Sequence, residues 1–425
     1  MRDTIYALSS GAPPAGIGVV RVSGPAAGRA LDVLVGRRPQ ERKASLNCLY
    51  DASGQILDEA LTLWFPGSKT ATGEDLAEFH CHGGRAVIAA VERALGEIEG
   101  FRPAEAGEFT RRAFANGRID LSEAEGLGDL LLAETELQRS AAIAMAGGVF
   151  SHQVEDWRER LLTYAAQVEA SLDFSDDDDV SEMPVGFADQ LRNFQSELVD
   201  WLERPRSEKL GEGYRTVLAG PPNAGKSTLF NALLESEAAI TSPTAGTTRD
   251  VIERAVALNG VPFTFVDTAG LHDASRDAIE LTGIERAREQ LDRADCVLWL
   301  GPEGEGPAGA WEIVSQSDCK PMHDKLDPVI CVSGKTGDNV TELKRLLVSA
   351  ARQSLPKPGE AALNQRQHDL LGLACSALGD AVVQSDPLLI AEGLRTARQS
   401  FDQLTGRATT EDMLDSLFGR FCIGK

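Results

Sequence analysis

Gly220-Pro221-Pro222-Asn223-Ala224-Gly225-Lys226-Ser227 reads G-x-x-x-x-G-K-S, and its flanks decide the fold of the region around it. An apolar run, Tyr214 to Ala219, leads in, and the apolar segment Thr228-Leu229-Phe230-Asn231-Ala232-Leu233-Leu234 leads out. That context predicts a strand, a glycine-rich turn and a helix, so that successive backbone N–H groups wrap a phosphate. The helix N-terminus adds its positive end. Lys226 is expected on the β- and γ-phosphates, and the Ser227 hydroxyl on Mg2+. An ordinary glycine turn before a helix is the bland alternative.

Further segments follow in order. Asp267-Thr268-Ala269-Gly270 comes after the apolar run Pro262 to Val266. An Asp at a strand end can hold the Mg2+ shell through water, and Gly270 can sense a γ-phosphate. Between the two lies the polar loop Ala245-Gly246-Thr247-Thr248-Arg249-Asp250, able to present a Thr hydroxyl to the metal. Asp324-Lys325-Leu326-Asp327 and Ser333-Gly334-Lys335 come later. A carboxylate such as Asp327 accepts two hydrogen bonds from guanine's ring N–H and amino group, a pattern adenine lacks. Each short segment alone is more often a turn; the order points to a guanine-nucleotide hydrolase, with a P-loop ATPase as the competing reading. Leu271 cannot orient a water, and no arginine finger is evident. Something else must neutralise transition-state charge. The Asn223 side-chain oxygen and the loop from Ser242 to Thr248 could cage a monovalent cation. Glu280 is a candidate for positioning water, against the plainer reading of a solvated glutamate on a helix face.

Outward from this region the chain has 425 residues, enough for two to four domains at about 150 residues each. Its net charge of −23 excludes a general grip on DNA or an anionic membrane. Hydrophobic content of 42% with 25% charged residues fits a folded globular protein. No apolar run approaches the roughly 18 residues of a spanning helix. The start, MRDTIYALSS, lacks a signal-peptide pattern. Seven cysteines without a CxxC indicate neither a disulfide framework nor a zinc ribbon. A cytoplasmic protein is expected.

Residues 1–117 read as α+β, with strands at Ile17–Val22, Ala60–Phe65 and Leu76–His82 and an amphipathic helix from Arg85 to Ile98. On a strand His80 and His82 face one side and Cys81 the other, which argues against a shared metal site. Residues 118–208 read as helical, with Val154, Trp157, Leu161, Ala165, Val168 and Leu172 in one stripe and a second helix from Phe187 to Leu202. The acid run Asp173 to Asp179 reads as a solvated turn. Residues 209–355 alternate strand and helix, the pattern of an inserted parallel-sheet α/β domain, and residues 356–425 return to helical periodicity.

The chain resembles the tRNA-modification GTPase family MnmE, also called TrmE. The resemblance spans essentially the whole length: DTIYALSS and GIGVVRVSG, ATGEDLAEFHCHGG, RPAEAGEFTRRAFANGRIDLSEAE, GPPNAGKS, AGTTRD, DTAGL and the terminal FCIGK. It implies an α+β tetrahydrofolate-binding and dimerising domain (1–117), a helical domain in two parts (118–208 and 356–425), and an inserted Ras-like GTPase domain (209–355). It implies a potassium-dependent homodimer that, in a heterotetramer with the flavoprotein MnmG, adds a carboxymethylaminomethyl-type group to the wobble uridine of certain tRNAs. The carbon would come from 5-formyl- or methylene-tetrahydrofolate. By resemblance the nucleotide falls on Asn223, Ala224, Gly225, Lys226, Ser227 and Thr228, on Ser242, Thr244, Ala245, Gly246, Thr247 and Thr248, on Asp267, Thr268, Ala269 and Gly270, and on Asp324, Lys325, Asp327, Ser333, Gly334 and Lys335. Mg2+ falls on Ser227 and Thr248, and potassium on Asn223, Ser242, Thr244 and Thr247. Glu280 is the water-positioning acid. Folate falls on Arg21, Glu78, Arg118 and Lys425, and Cys422 is the reactive cysteine of the tail. Two positions depart from the family: Asp324 replaces an Asn, and Arg118 replaces a Lys. A GTP-gated ribosome or RNA assembly factor without one-carbon chemistry is the alternative function.

Overall fold

Residues 3–173, 183–235, 252–268, 288–319 and 325–424 are described by the computed structural model of the chain. They form two units: Met1–Gly128 with Ser151–Arg158 and Gln399–Lys425, and Asp129–Phe150 with Glu159–Arg398.

In the first unit, six strands lie in the order β3-β4-β5-β2-β1-β6, where β1 is Thr4–Leu8, β2 Ile17–Ser23, β3 Ser45–Tyr50, β4 Ile56–Phe65, β5 Leu76–His82 and β6 Phe101–Pro103. All pairs are antiparallel except β1 with β6. The sequence of β5 shows why one face is covered: Ala77, Phe79 and Cys81 are buried, while the alternate residues Glu78, His80 and His82 are not. Helices Ala27–Leu34 and Arg85–Gly96 supply the matching stripe, Ala27, Ala30, Leu31, Leu34, Ile88, Val91 and Leu95. The expectation of a fully buried strand at Ile17–Val22 is corrected: β2 buries one face, and Ile17 is 60% exposed. An antiparallel sheet can leave its second face to solvent.

Helix Glu108–Ala115, the start of helix Leu121–Leu132 and helix Glu411–Phe418 share a small core with Phe418 and Phe421. Gly107 makes this packing possible. It sits at φ +70°, and a Cβ there would come within 2.2 Å of the Phe418 carbonyl oxygen. The chain end returns to the sheet: Ala106 bridges Ile423, and a Cβ on Gly424 would lie 2.1 Å from the Leu8 carbonyl oxygen. Trp157 stacks on Phe401 at 5.8 Å within the same unit.

The second unit holds a sheet ordered β12-β11-β10-β7-β9-β8, where β7 is Tyr214–Ala219, β8 Ile252–Leu258, β9 Val261–Asp267, β10 Cys296–Trp299, β11 Trp311–Val314 and β12 Ile330–Cys331. Only β8 runs antiparallel to its neighbour in this ladder. Every residue of β9 is buried, as expected for a strand covered on both faces. Leu229 and Leu233 of helix Lys226–Leu234 and Leu343 and Leu347 of helix Val340–Ser354 pack with Phe263, Phe265 and Leu298. The expected alternation of strand and helix breaks between β10 and β11. Residues 300–310 contain no helix; they fold over the Trp299 ring, whose Nε1–H donates to the Pro302 carbonyl at 2.7 Å. Gly301 and Gly306 fit because a Cβ on either would meet that ring at 2.5 and 2.7 Å. Helices Phe187–Leu202 and Gln365–Val383 pack alongside one another in this unit, and Asn364 with Gln367 closes a capping box at the start of the second. Among the described residues no helix is long and apolar enough to cross a membrane.

Candidate functional site

The central strand β7 delivers the chain to the turn at its C-terminal end. Gly220 (φ +148°) lies against Leu300 and Gly301, and Gly225 (φ +90°) precedes the helix that starts at Lys226. Asn223 also adopts a left-handed backbone, φ +63°, a conformation Asn tolerates better than most residues. Lys226 is 4% exposed and curls back over the turn, donating from Nζ to the Gly220 carbonyl at 2.8 Å and the Pro221 carbonyl at 2.9 Å. Burial lowers its pKa, and the negative charge of Asp267 works against that shift. Asp267, the last residue of β9, is 1% exposed and accepts from the Ser227 hydroxyl at 2.7 Å. Thr268 is buried, its hydroxyl donating to the Leu218 carbonyl at 2.8 Å. Sequence motifs 40 residues apart therefore meet at one turn.

A third segment reaches the same turn. Ser315, immediately after β11, donates its hydroxyl to the Ala224 carbonyl at 2.5 Å, and Gln316, at φ +57°, donates Nε2–H to the Asn223 carbonyl at 3.1 Å. The Asn223 and Ala224 carbonyls of the turn are thus capped from outside. Asp318 follows. Its carboxylate accepts from the Ser333 hydroxyl at 2.6 Å and from the Cys319 thiol at 3.2 Å. The Ser333 bond and then the Cys319 bond lower the Asp318 pKa, helped by the charge of Lys335, while the same bond and carboxylate raise the Cys319 thiol pKa. Gly334 packs on the phosphate-turn helix so closely that a Cβ would lie 2.9 Å from the backbone of Leu229.

Lys325 and Asp327 are placed elsewhere. Lys325 is buried, its Nζ paired with Glu312 and bonded to the Trp299 carbonyl at 2.9 Å. Burial raises the Glu312 pKa, but bonding to Lys325 and to the Gly304 N–H outweighs it and the net shift is down. The Asp327 N–H donates to Glu303, and Leu326 between them is 94% exposed. The segment that reaches the turn without having been singled out by motif reading is Ser315-Gln316-Ser317-Asp318. Its usable signal was position: it leaves strand β11 directly.

In the first unit, Arg21 and Glu78 are register partners on β2 and β5, with Nε to Oε1 at 3.0 Å. His80 adds a contact to the other Glu78 oxygen at 3.2 Å, and the Arg21 guanidinium lies 5.8 Å from the Phe109 ring centre. Arg118 instead donates to the Thr70 carbonyl at 3.1 Å. Cys422 is exposed, between buried Phe421 and the Ile423 bridge. Cys81 is buried, which pushes its thiol up to about 12. His82 pairs with Asp58 rather than sharing a site with His80. No group of three or more metal-ligating side chains occurs among the described residues. Ser242, Thr244, Ala245, Gly246, Thr247, Thr248, Ala269, Gly270, Glu280, Asp324 and Lys425 lie outside the described residues.

The "MnmE helical domain" family matches residues 121–422, and the "GTP-binding protein TrmE N-terminus" family matches residues 4–118. Relatives named "tRNA modification GTPase MnmE" are similar over the full chain. The one from Erythrobacter litoralis is 61% identical, covering 100% of both chains. The one from Novosphingobium aromaticivorans is 58% identical, also covering 100% of both. The one from Rhizorhabdus wittichii is 57% identical, covering 100% of this chain and 97% of its own.

Proposed function

This chain belongs to the MnmE family of tRNA modification GTPases, and from that premise we propose an enzyme that hydrolyses GTP in the course of tRNA modification. The observation that carries the hydrolase reading is the convergence of the buried Lys226 ammonium, the Ser227–Asp267 bond and the Ser315–Asp318 turn on one phosphate-sized loop. Ser227 and Asp267 offer a hydroxyl and a carboxylate oxygen 2.7 Å apart, hard donors that suit Mg2+. Bound there, the ion would neutralise phosphate charge. Lys226 would do the same from the other side, and the loop's N–H groups would hold the phosphates in place while a water attacks in line.

For the base, we assign the reading carboxylate to Asp318 rather than Asp327. Asp318 is oriented by Ser333 and backed by Lys335, on the segment that caps the phosphate turn. Asp327 has no described bond to that turn. We retain Glu280 as the water-positioning acid, Thr248 as a second Mg2+ ligand, and Asn223, Ser242, Thr244 and Thr247 as a potassium cage. In hydrolysis assays, potassium in place of sodium should raise turnover strongly, and Asn223→Ala should erase the difference. Turnover indifferent to the cation would remove the cage. Glu280→Ala in the same assay should slow turnover and leave nucleotide binding nearly intact.

The finer function is a cytoplasmic homodimer working with the flavoprotein MnmG, which uses a tetrahydrofolate carbon to build an aminomethyl-type group on a wobble uridine. Support comes from the Arg21–Glu78 pair: a half-buried carboxylate can read the donor edge of a pterin, and arginines suit a glutamate tail. Arg118, Lys425 and Cys422 complete the proposed folate chemistry, and the domain limits 1–117, 118–208, 209–355 and 356–425 go with it. The test is the nucleoside profile of tRNA from cells with and without this gene. Loss of the wobble-uridine modification, restored by the wild-type chain, is expected. An unchanged profile would favour the assembly-factor alternative.

A further inference from the structure

We propose that Arg37, Arg42, Lys43 and Lys69, on the surface of the first unit, form a docking patch for the phosphate backbone of RNA. The proposal rests on the reading of the chain as an enzyme of tRNA modification, and locates where a chain of net charge −23 can meet a polyanion.

The stretch Gly36-Arg37-Arg38-Pro39-Gln40-Glu41-Arg42-Lys43-Ala44 carries four cations and one acid. It forms the exposed turn between helix Ala27–Leu34 and β3. Arg42 sits at φ +57°, with its N–H bonded to the Trp64 carbonyl at 2.8 Å. Its guanidinium lies 5.7 Å from the Phe65 ring centre and donates Nη2–H to the Lys69 carbonyl at 2.6 Å. It is therefore held by an aromatic face and a carbonyl, neither of which cancels its charge. Arg37 is held similarly, by the neutral Asn47 side chain at 3.2 Å. Lys43 and Lys69 are exposed and form no ion pair among the described residues. Arg118 bonds the next carbonyl of the Lys69 loop, Thr70, so a further cation flanks the patch.

Several other arginines of this unit are spent on acids. Arg38 pairs with Asp32, Arg111 with Glu411 and Asp415, and Arg112 with Asp3, Glu74 and Glu108. The patch differs because its cations are fixed without being neutralised. A guanidinium has five N–H donors in a planar fork. Arg42 uses one in the bond described, which leaves a face able to take a phosphate bidentately. Stacking on Phe65 also reduces the ordering cost of that contact. A few phosphates of an RNA strand can meet such a patch locally. An anionic bilayer would face the rest of an acidic surface as well.

The test is titration of a labelled tRNA transcript with the full-length protein between about 50 and 200 mM salt. The quadruple variant R37Q/R42Q/K43Q/K69Q should bind about tenfold more weakly or worse, and its slope of log affinity against log salt should flatten by about 2 to 3. GTP hydrolysis without tRNA should be unchanged. Because Arg37 and Arg42 also support the turn, K43E/K69E repeats the test with side chains that hold no acid partner. A control, R192Q/R345Q/R395Q, removes three helix-surface cations already paired with acids and should bind as the wild type does. Wild-type affinity and slope in both patch variants would overturn the patch while leaving the tRNA reading in place. Wild-type protein that ignores tRNA at low salt would overturn the patch as well, and the cellular nucleoside profile then decides the reading separately. Patch variants that lose binding to phosphatidylserine vesicles but keep tRNA would assign the surface to a membrane instead and overturn the proposal.

Discussion

Asp318→Asn should turn the protein from guanosine to xanthosine nucleotides. A carboxylate presents two acceptors, which match guanine's ring N–H and amino donors. An amide presents one acceptor and one donor. Xanthine carries a carbonyl where guanine carries the amino group, so the amide matches it and opposes guanine. Two charge-assisted hydrogen bonds are worth about 3–6 kcal/mol together, so GDP affinity should fall a hundredfold or more while XDP affinity rises. The geometry adds a second readout. The Cys319 thiol donates to the Asp318 carboxylate and is exposed, so GDP held by Asp318 should slow alkylation of Cys319. Asp327→Asn is the comparison. Its backbone N–H is taken by Glu303, and the substitution should leave GDP affinity within about twofold. If Asp327→Asn alone switches the base, the assignment returns to the segment that motif reading favoured.

The proposal of Asp318 in place of Asp327 draws on placement that sequence reading alone does not supply. The turn Gly220–Ser227 was legible because its constraint is local: a strand, two glycines in strained backbone and a helix start lie within a dozen residues. The helices Phe187–Leu202 and Arg85–Gly96 were legible because a 3.6-residue period repeats several times. The segment we propose as base-reading was not, because spelling competed with position. Asp324-Lys325-Leu326-Asp327 has the look of a motif, but the buried Lys325 closes an ion pair with Glu312 on the edge of β10 and β11. Ser315-Gln316-Ser317-Asp318 has no distinctive spelling, and what marks it is departure from a strand that neighbours the central one through β10. The missing helix in residues 300–310 had the same cause. A Gly- and Pro-rich stretch announces a loop but not that Trp299 will be covered by it. The Arg21–Glu78 pair is joined by strand register across 57 residues, and nothing in either local sequence fixes that register. The need for glycine at 107 and 424 is likewise tertiary, set by the returning chain end.

Lys226→Ala should abolish tight nucleotide binding while leaving the protein folded. Two of the three ammonium N–H groups bond the Gly220 and Pro221 carbonyls, which leaves one for a phosphate oxygen. Burial of the site lowers the pKa of the ammonium, and the charge of Asp267 opposes that shift. The sign of that cost is fixed by linkage. Between the lowered value and the ordinary 10.5 the folded chain binds fewer protons than the unfolded one. The stability cost is therefore fully present below the folded pKa and fades as pH rises through that window. Alanine removes the cost but leaves two carbonyls to water, so the melting temperature without nucleotide should move little. The nucleotide-induced rise is a different quantity. Phosphate charge beside Nζ would push the lysine pKa back up, so binding takes up protons in the same window and weakens as pH rises through it. Removing the ammonium should cost about 3 kcal/mol of affinity, about a hundredfold. At nucleotide concentrations near a hundred times the wild-type Kd, about 2.7 kcal/mol of stabilisation should then shrink to a few tenths. Paired melting curves with and without Mg·GDP, together with calorimetric titration, measure both numbers. A Lys226→Ala protein that keeps the wild-type GDP shift would show that the turn holds something other than a nucleotide phosphate. The Ser227–Asp267 bond would then be a structural link between β9 and the helix that follows the turn.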